Sequence, residues 1–384
     1  MKKIALLLLP LFMVACGGDD PLDPQPTQNR VVNTNIKQNT TWYADTIYQL
    51  GGRIAVEDGA TLTIQPGTII KGEAGTGANA TALLIARGGK LIAEGTASMP
   101  IIFTSVADEI SPADIAAGNF ASPNLDPDVN GLWGGVIVLG NAPISASNTA
   151  GDVSSVQIEG IPTSDQNGLY GGTNTHDNSG ILSHISIRHG GANIGSGNEI
   201  NGLTLGGVGL GTSVNNIEVV ANQDDGIEVF GGTVNLAYVV SWNVGDDGFD
   251  TDQSWAGSLN EFVIINPSGH CFELDGPEGT YEAGHLIQNG DIYVGNGQDL
   301  INVDQNSIVD LFNLYFTDIQ GIHQINRTTA PGVTFGNIVL DVDNNSIGNY
   351  INGTLPQSAV VGGQIPKANT STLGWTWAAQ AGKF

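Results

Sequence analysis

Basic residues are scarce in this chain: 12 lysines and arginines stand against 38 aspartates and glutamates, a formal net charge of −26. From His189 to Asn326 there is no lysine or arginine. A body of that sign excludes nucleic acid and anionic membrane surfaces as partners of the folded part. Cysteine is almost missing too. Cys16 and Cys271 are the only two, which excludes a disulfide framework. Cys271, next to a recurring apolar position, reads as an inert buried thiol. The apolar run at residues 4–14 is too short to span a bilayer. Segments with helical periodicity are few, whereas 54 glycines and 16 prolines are spread along the chain. That balance points to an all-β body of short strands and tight turns. The sequence carries no Ser-His-Asp order, phosphate loop, cysteine–histidine zinc spacing or haem motif.

What is present begins with Met1-Lys2-Lys3, the apolar run and Ala15-Cys16-Gly17-Gly18, the layout of a secretory signal. The ending Met13-Val14-Ala15-Cys16 resembles a bacterial lipobox, which implies cleavage of residues 1–15 and lipidation of Cys16. Residues 16–40 read as a flexible tether. Asp19-Asp20 resembles the surface-export signal of Bacteroidota lipoproteins. The expected location is the outer membrane at the cell surface, with the lipid as the sole membrane contact. Losing Lys2 and Lys3 takes the net charge from −26 to about −28, a charge that saline habitats also favour.

The stretch 201–276 organises the rest. Written as NGLTLGG, DGIEVFGG, DGFDTDQ and HCFELDG, it places Leu203, Ile227, Phe249 and Phe272 in one column, and Leu205, Val229, Thr251 and Leu274 in a second. Between and after them fall Thr204, Glu228, Asp250 and Glu273, then Gly206, Phe230, Asp252 and Asp275. Alternation of this kind is a strand with one face buried and one wet. A recurrence of about 22 residues suits one coil of a solenoid.

Earlier, residues 53–68 are echoed by 85–96 about 29 residues on, which predicts the first coils from residue 41. Insertions are expected near 107–130, with a short helix after Ser111-Pro112, and near 160–180, carrying Tyr170 and His176. Strand is expected over 132–139. Trp375 and Trp377 are expected to close the last coil, since an open sheet edge invites pairing with other chains. The run Gly206-Gly-Val-Gly-Leu-Gly, Asp224-Asp-Gly-Ile-Glu-Val-Phe-Gly-Gly and Asp246-Asp-Gly-Phe-Asp-Thr-Asp resembles secreted and surface β-helix lipoproteins of Bacteroidota and other marine bacteria. The resemblance implies a pectin-lyase-like right-handed parallel β-helix over 41–384. It implies little about chemistry, because that fold hosts lyases, hydrolases, adhesins and inert scaffolds.

Three turns, Asp224-Asp225-Gly226, Asp246-Asp247-Gly248 and Gly269-His270-Cys271, fall at one place in the repeat. They resemble the catalytic layout of polygalacturonases, which maps Asp225, Asp246, Asp247 and His270 onto acid, base and histidine roles. The chain departs from that family in having no Arg-Ile-Lys element to hold a uronate, so a neutral polysaccharide would be the substrate. The plainer reading is a tight turn, with Asp bonding its own backbone and Gly at positive φ. On the outward columns Glu228, Asp250, Asp252, Glu273 and Asp275 are candidate calcium ligands, because stacked carboxylates need a cation, a proton or open water. Phe230, Trp242 and Trp255 are candidate rings for stacking a sugar beside those acids. The expected function is a surface lipoprotein whose β-helix face binds a glycan or protein without cleaving it, possible partners including an outer-membrane transporter. The alternatives are a hydrolase of a neutral polysaccharide and a calcium-bound structural or adhesion module.

The anchor is tested directly: Cys16→Ser is expected to release the protein from membrane fractions, and full retention of the variant there would remove the lipid as the attachment.

Overall fold

The structure is a computed structural model that describes residues 28–195, 199–354 and 359–384. The signal segment and Cys16 lie outside the described residues. The chain folds as a right-handed parallel β-helix. Each coil adds one strand to an eight-stranded sheet, then runs through a fifteen-stranded sheet that folds sharply along its length. The columns read from the sequence are the pairing register. Leu203 faces Ile227, Ile227 faces Phe249, and Phe249 faces Phe272; all four are at most 1% exposed. In the first coils Arg53 pairs with Ala82 and Thr61 with Lys90, the expected spacing of 29 residues.

The fold line in the long sheet has a local cause. Along the bent strands one residue per coil is left-handed: His184, Asn216, Tyr238, Glu261, Asn289, Asn313 and Asn337, with φ of 50–59°. Asparagine tolerates that region better than other residues with a Cβ. Stacked asparagines also bond to one another: Asn313 donates to Asn289, and Asn337 to Asn313 at 2.7 Å. A turn that strains one residue is thus stitched to the next coil.

The turn before the short sheet works differently from expectation. Gly226 and Gly248 are not at positive φ. They are required by space: a Cβ on Gly226 would lie 2.2 Å from Ser241 Oγ, and one on Gly248 would lie 2.6 Å from Ile264 Cγ2. Cys271 takes the same place in the following coil, next after Gly248, and is fully buried; burial pushes its thiol pKa up.

Several boundaries move. Among the described residues the solenoid already includes Gln28–Val32, which pairs with Thr46–Leu50, so residues 28–40 belong to the body and not to a tether. The first insertion carries the short helix Pro112–Ala116, with a capping box between Ser111 and Asp114. Strand begins at Val136, not at 132; Trp133 is instead buried, donating to the Arg188 carbonyl at 2.7 Å. The second insertion starts well before 160, because it already contains the hairpin Ala146–Asn148 with Gly151–Val153. Nor do Trp375 and Trp377 close the last coil. The tail turns back along the outside of the long sheet, where Trp377 meets Trp242 at 5.6 Å and Arg188 at 5.0 Å, and Trp375 joins Ile69, Ile102 and Phe120. Toward the C-terminal end of the core, Ile347, Tyr350 and Ile351 pack against it, and Ile351 bridges to Ile325 as a further rung.

Phe249→Ala is expected to cost about 3–5 kcal/mol in chemical denaturation, as for a filled core. Gly248→Ala should destabilise clearly while Gly52→Ala, with nothing near its Cβ position, should not; equal effects would contradict the steric account.

Candidate functional site

The outer face of the short sheet presents one side chain per coil at the ~4.8 Å strand spacing. Thr204, Glu228, Asp250, Glu273 and Asn302 stand in register along it. Beside this column runs a second, from the preceding turn: Asn201, Asp225, Asp247 and His270. Coil-to-coil bonds hold that turn column. Asp225 Oδ1 accepts from the Asp247 backbone N–H at 2.9 Å, and Asp247 Oδ1 accepts from the His270 N–H. The aspartates therefore bond the next coil's backbone, not their own. His270 Nδ1 lies 3.0 Å from Asp247 Oδ1, and the nearness of that carboxylate raises the histidine pKa.

The two columns interlock diagonally where Asn201 Nδ2 donates to Glu228; within the first column Asn302 Nδ2 donates to its register partner Glu273 at 2.9 Å. Oxygen atoms of Asp225, Glu228 and Asp250 lie within 4.8 Å of one another; so do ligand atoms of Asp224, Asp225 and Asp246, and of Asp247, His270 and Glu273. Asp225 is 7% exposed and Glu228 8%. Asp250 Oδ1 and Asn201 Oδ1 are buried with no hydrogen-bond partner. Burial, then the neighbouring carboxylates, push Asp225, Glu228 and Asp250 well above the usual carboxylate range. The same causes raise Asp224 to about 7, and burial followed by Asp247 raises Glu273 to about 8.

The next outward column ends the same way. Phe230 pairs with Asp252. Asp275 and Asp304 prolong the column, since their N–H groups continue the ladder to Thr251 and Leu274. Burial lifts Asp252 to about 7 and Asp275 to about 6. Here a cation appears: Arg327 pairs with Asp304. Among the described residues no lysine or arginine is ion-paired with Asp225, Glu228, Asp250 or Glu273.

The structure thus brings the predicted acids and His270 together, while the predicted rings are buried in packing. Phe230 is covered by Tyr170 and Ile144 of the second insertion. Trp242 belongs to the long sheet and lies under Trp377. Trp255 turns inward between Phe249 and His285 and donates to the Val234 carbonyl. Each ring serves packing, so none offers a free face to a sugar. Sequence reading passed over Asn201, whose place in the Asp225 column was visible in the aligned segments, and over Asp224 as a titrating group. Glu159 and Glu199, which raise Asp224, come from loops that no repeat could align.

The arrangement can hold a cation or store protons. Asp225 and Asp247 are committed to the turn ladder, while Asp224 and Asp246 stand nearer the surface. No curated protein and no solved structure matches the chain. The family model of the pectate-lyase-like β-helix domain matches residues 34–118 and 120–293. The chain belongs to the pectate-lyase-like β-helix family.

Proposed function

We propose that this protein is a lipid-anchored outer-membrane protein, displayed at the cell surface, whose acidic sheet face binds calcium and, with it, a polysaccharide or surface protein that it does not cleave. The observation that carries this reading is the Asp225, Glu228 and Asp250 cluster, with oxygens within 4.8 Å of one another and no basic side chain paired to them among the described residues. Calcium takes oxygen ligands at about 2.3–2.6 Å, so oxygens across one coordination shell are about 4.6–5.2 Å apart. Three carboxylates fit within that shell. The unpartnered Asn201 Oδ1 supplies a fourth oxygen nearby, and water or a ligand hydroxyl would complete the set. Two unit charges 4 Å apart repel by about 4 kcal/mol at an effective dielectric near 20; a divalent cation turns that repulsion into binding. A neighbouring surface protein such as an outer-membrane transporter is compatible with the same face.

A specific observation supports hydrolysis as a second reading: carboxylate oxygens of Asp224 and Asp246 lie within 4.8 Å of each other, and burial raises Asp224 to about 7, the range a general acid needs at neutral pH. In this reading Asp224 joins the expected set of Asp225, Asp246, Asp247 and His270.

The cation reading fixes a pH dependence. These carboxyls have folded pKa values above their unfolded values, so the folded state binds more protons between about pH 4 and pH 8. Metal-free protein should therefore lose stability as pH rises through that window. Calcium should restore it, by roughly 2.7 kcal/mol at a hundredfold excess over Kd, and more at pH 8 than at pH 5. Glu228→Gln with Asp250→Asn should stabilise the metal-free protein and remove the calcium response in calorimetry; an unchanged response would move the site elsewhere. Product analysis on neutral polysaccharides decides the second reading: turnover lost in Asp224→Asn and Asp246→Asn would establish a hydrolase, and no turnover in the wild type would exclude it for those substrates.

A further inference from the structure

Beyond the acidic columns, two loops far apart in sequence meet and leave a cleft of about 530 Å³ between them. One is the hairpin of the second insertion; the other follows the strand Phe272–Leu274. Four side-chain bonds tie them together. Ser147 Oγ donates to the Glu278 carbonyl at 2.8 Å, the Gly279 N–H to Ser145 Oγ at 3.0 Å, the Thr280 N–H to Asp152 at 3.2 Å, and the Thr280 hydroxyl to Asp152. The loops are also tied to the solenoid, because Gln253 Nε2 donates to Glu278 at 2.9 Å and Ser254 Oγ to the Tyr281 carbonyl at 3.2 Å. Gln253 follows Asp252 directly, so the cleft adjoins the end of the acidic columns.

Loops so heavily joined would ordinarily close on each other; here they hold a gap open. Its walls combine apolar surface from Pro143, Ile144 and Val153 with hydroxyls from Ser154 and Thr173. Tyr281 lines it and keeps 38% of its surface exposed, one of few large side chains left so. The lining has one carboxylate, Asp152, and no lysine or arginine. Size and lining match sites for small polar ligands, which are pre-formed and mix apolar walls with a few fixed polar groups. An anionic ligand would meet only Asp152 and the nearby acids. We infer that the cleft is a subsite for an uncharged sugar unit, stacked on Tyr281 and hydrogen-bonded by Ser154 and Thr173. This rests on the polysaccharide-binding reading above, and it supplies the aromatic platform that Phe230, Trp242 and Trp255 do not.

The test is an array of neutral gluco-, manno-, galacto- and xylo-hexaoses beside oligogalacturonate and alginate oligomers, with saturating calcium, followed by titration calorimetry on the strongest binder. A neutral binder is expected, weakened about tenfold or more by Tyr281→Ala and nearly unaffected by Tyr281→Phe. The loop itself is held at Tyr281 through its backbone carbonyl, so both variants should keep the calcium-induced rise in melting temperature as a check on folding. Preference for the uronates, absence of any neutral binder, or wild-type affinity in Tyr281→Ala would each overturn the subsite. Binding lost in Tyr281→Ala but indifferent to calcium would keep the cleft and remove the cation. Binding lost only in Asp250→Asn would keep the acidic face and remove the cleft.

Discussion

Parallel stacking in register is the constraint on which everything else in this molecule rests. A coil of about 22 residues sets its residues directly over those of the coil before, at the strand spacing of ~4.8 Å. Like therefore meets like. Inside, this is favourable without further provision: Ile227, Phe249 and Phe272 pack on one another as an apolar column. At the fold line it is favourable through amides, since each asparagine has both a donor and an acceptor for its neighbours. On the wet face of the short sheet the same rule places carboxylate beside carboxylate, and no conformational freedom of the backbone relieves it.

How costly that becomes depends on the insertions, not on the solenoid. A column of acids open to water would be screened. Here Glu228 and Asp225 are less than a tenth exposed, and covering loops bring further acids, Glu159 and Glu199, toward Asp224. Low dielectric strengthens repulsion and cation binding together. The solenoid thus determines where the charges stand, and the loops determine how strongly they act. That division explains why one fold can host so many activities: the ladder is general, while the cover is particular to the chain.

The same division marks what could be read from the sequence. The short-sheet register was legible to the residue, from Leu203 to Asp275, because a period of 22–24 residues and an alternation of two leave little freedom. The acid columns came with it. The aromatic assignments failed for a physical reason. Phe230, Trp242 and Trp255 sit at or just past strand ends, where a ring can turn outward, fold over a turn or be covered by a distant segment, and local pattern does not choose among these. Trp242 is covered by Trp377, 135 residues away. The glycines of the Asp-Gly turns were correctly placed but for the wrong cause: close approach of Ser241 and Ile264, not positive φ, demands them.

The tail shows the limit of the repeat logic in its sharpest form. Arg188 and Glu218 are fully buried on the outside of the long sheet, with guanidinium and carboxylate 3.6 Å apart. Glu218 also accepts from Ser186 at 2.6 Å and from the Ala378 N–H at 2.9 Å, and Trp377 lies over Arg188. Neither charge would stay dry without the tail, so the tail's docking and the ion pair's burial are one event. A buried pair of this kind is weak evidence for stability, since desolvation offsets much of the attraction. It is better evidence for position: the tail reaches Glu218 through the Ala378 N–H and covers Arg188 with the Trp377 ring. A parallel solenoid by itself gives a tail many equivalent coils to lie against, and this off-repeat pair makes one of them distinct.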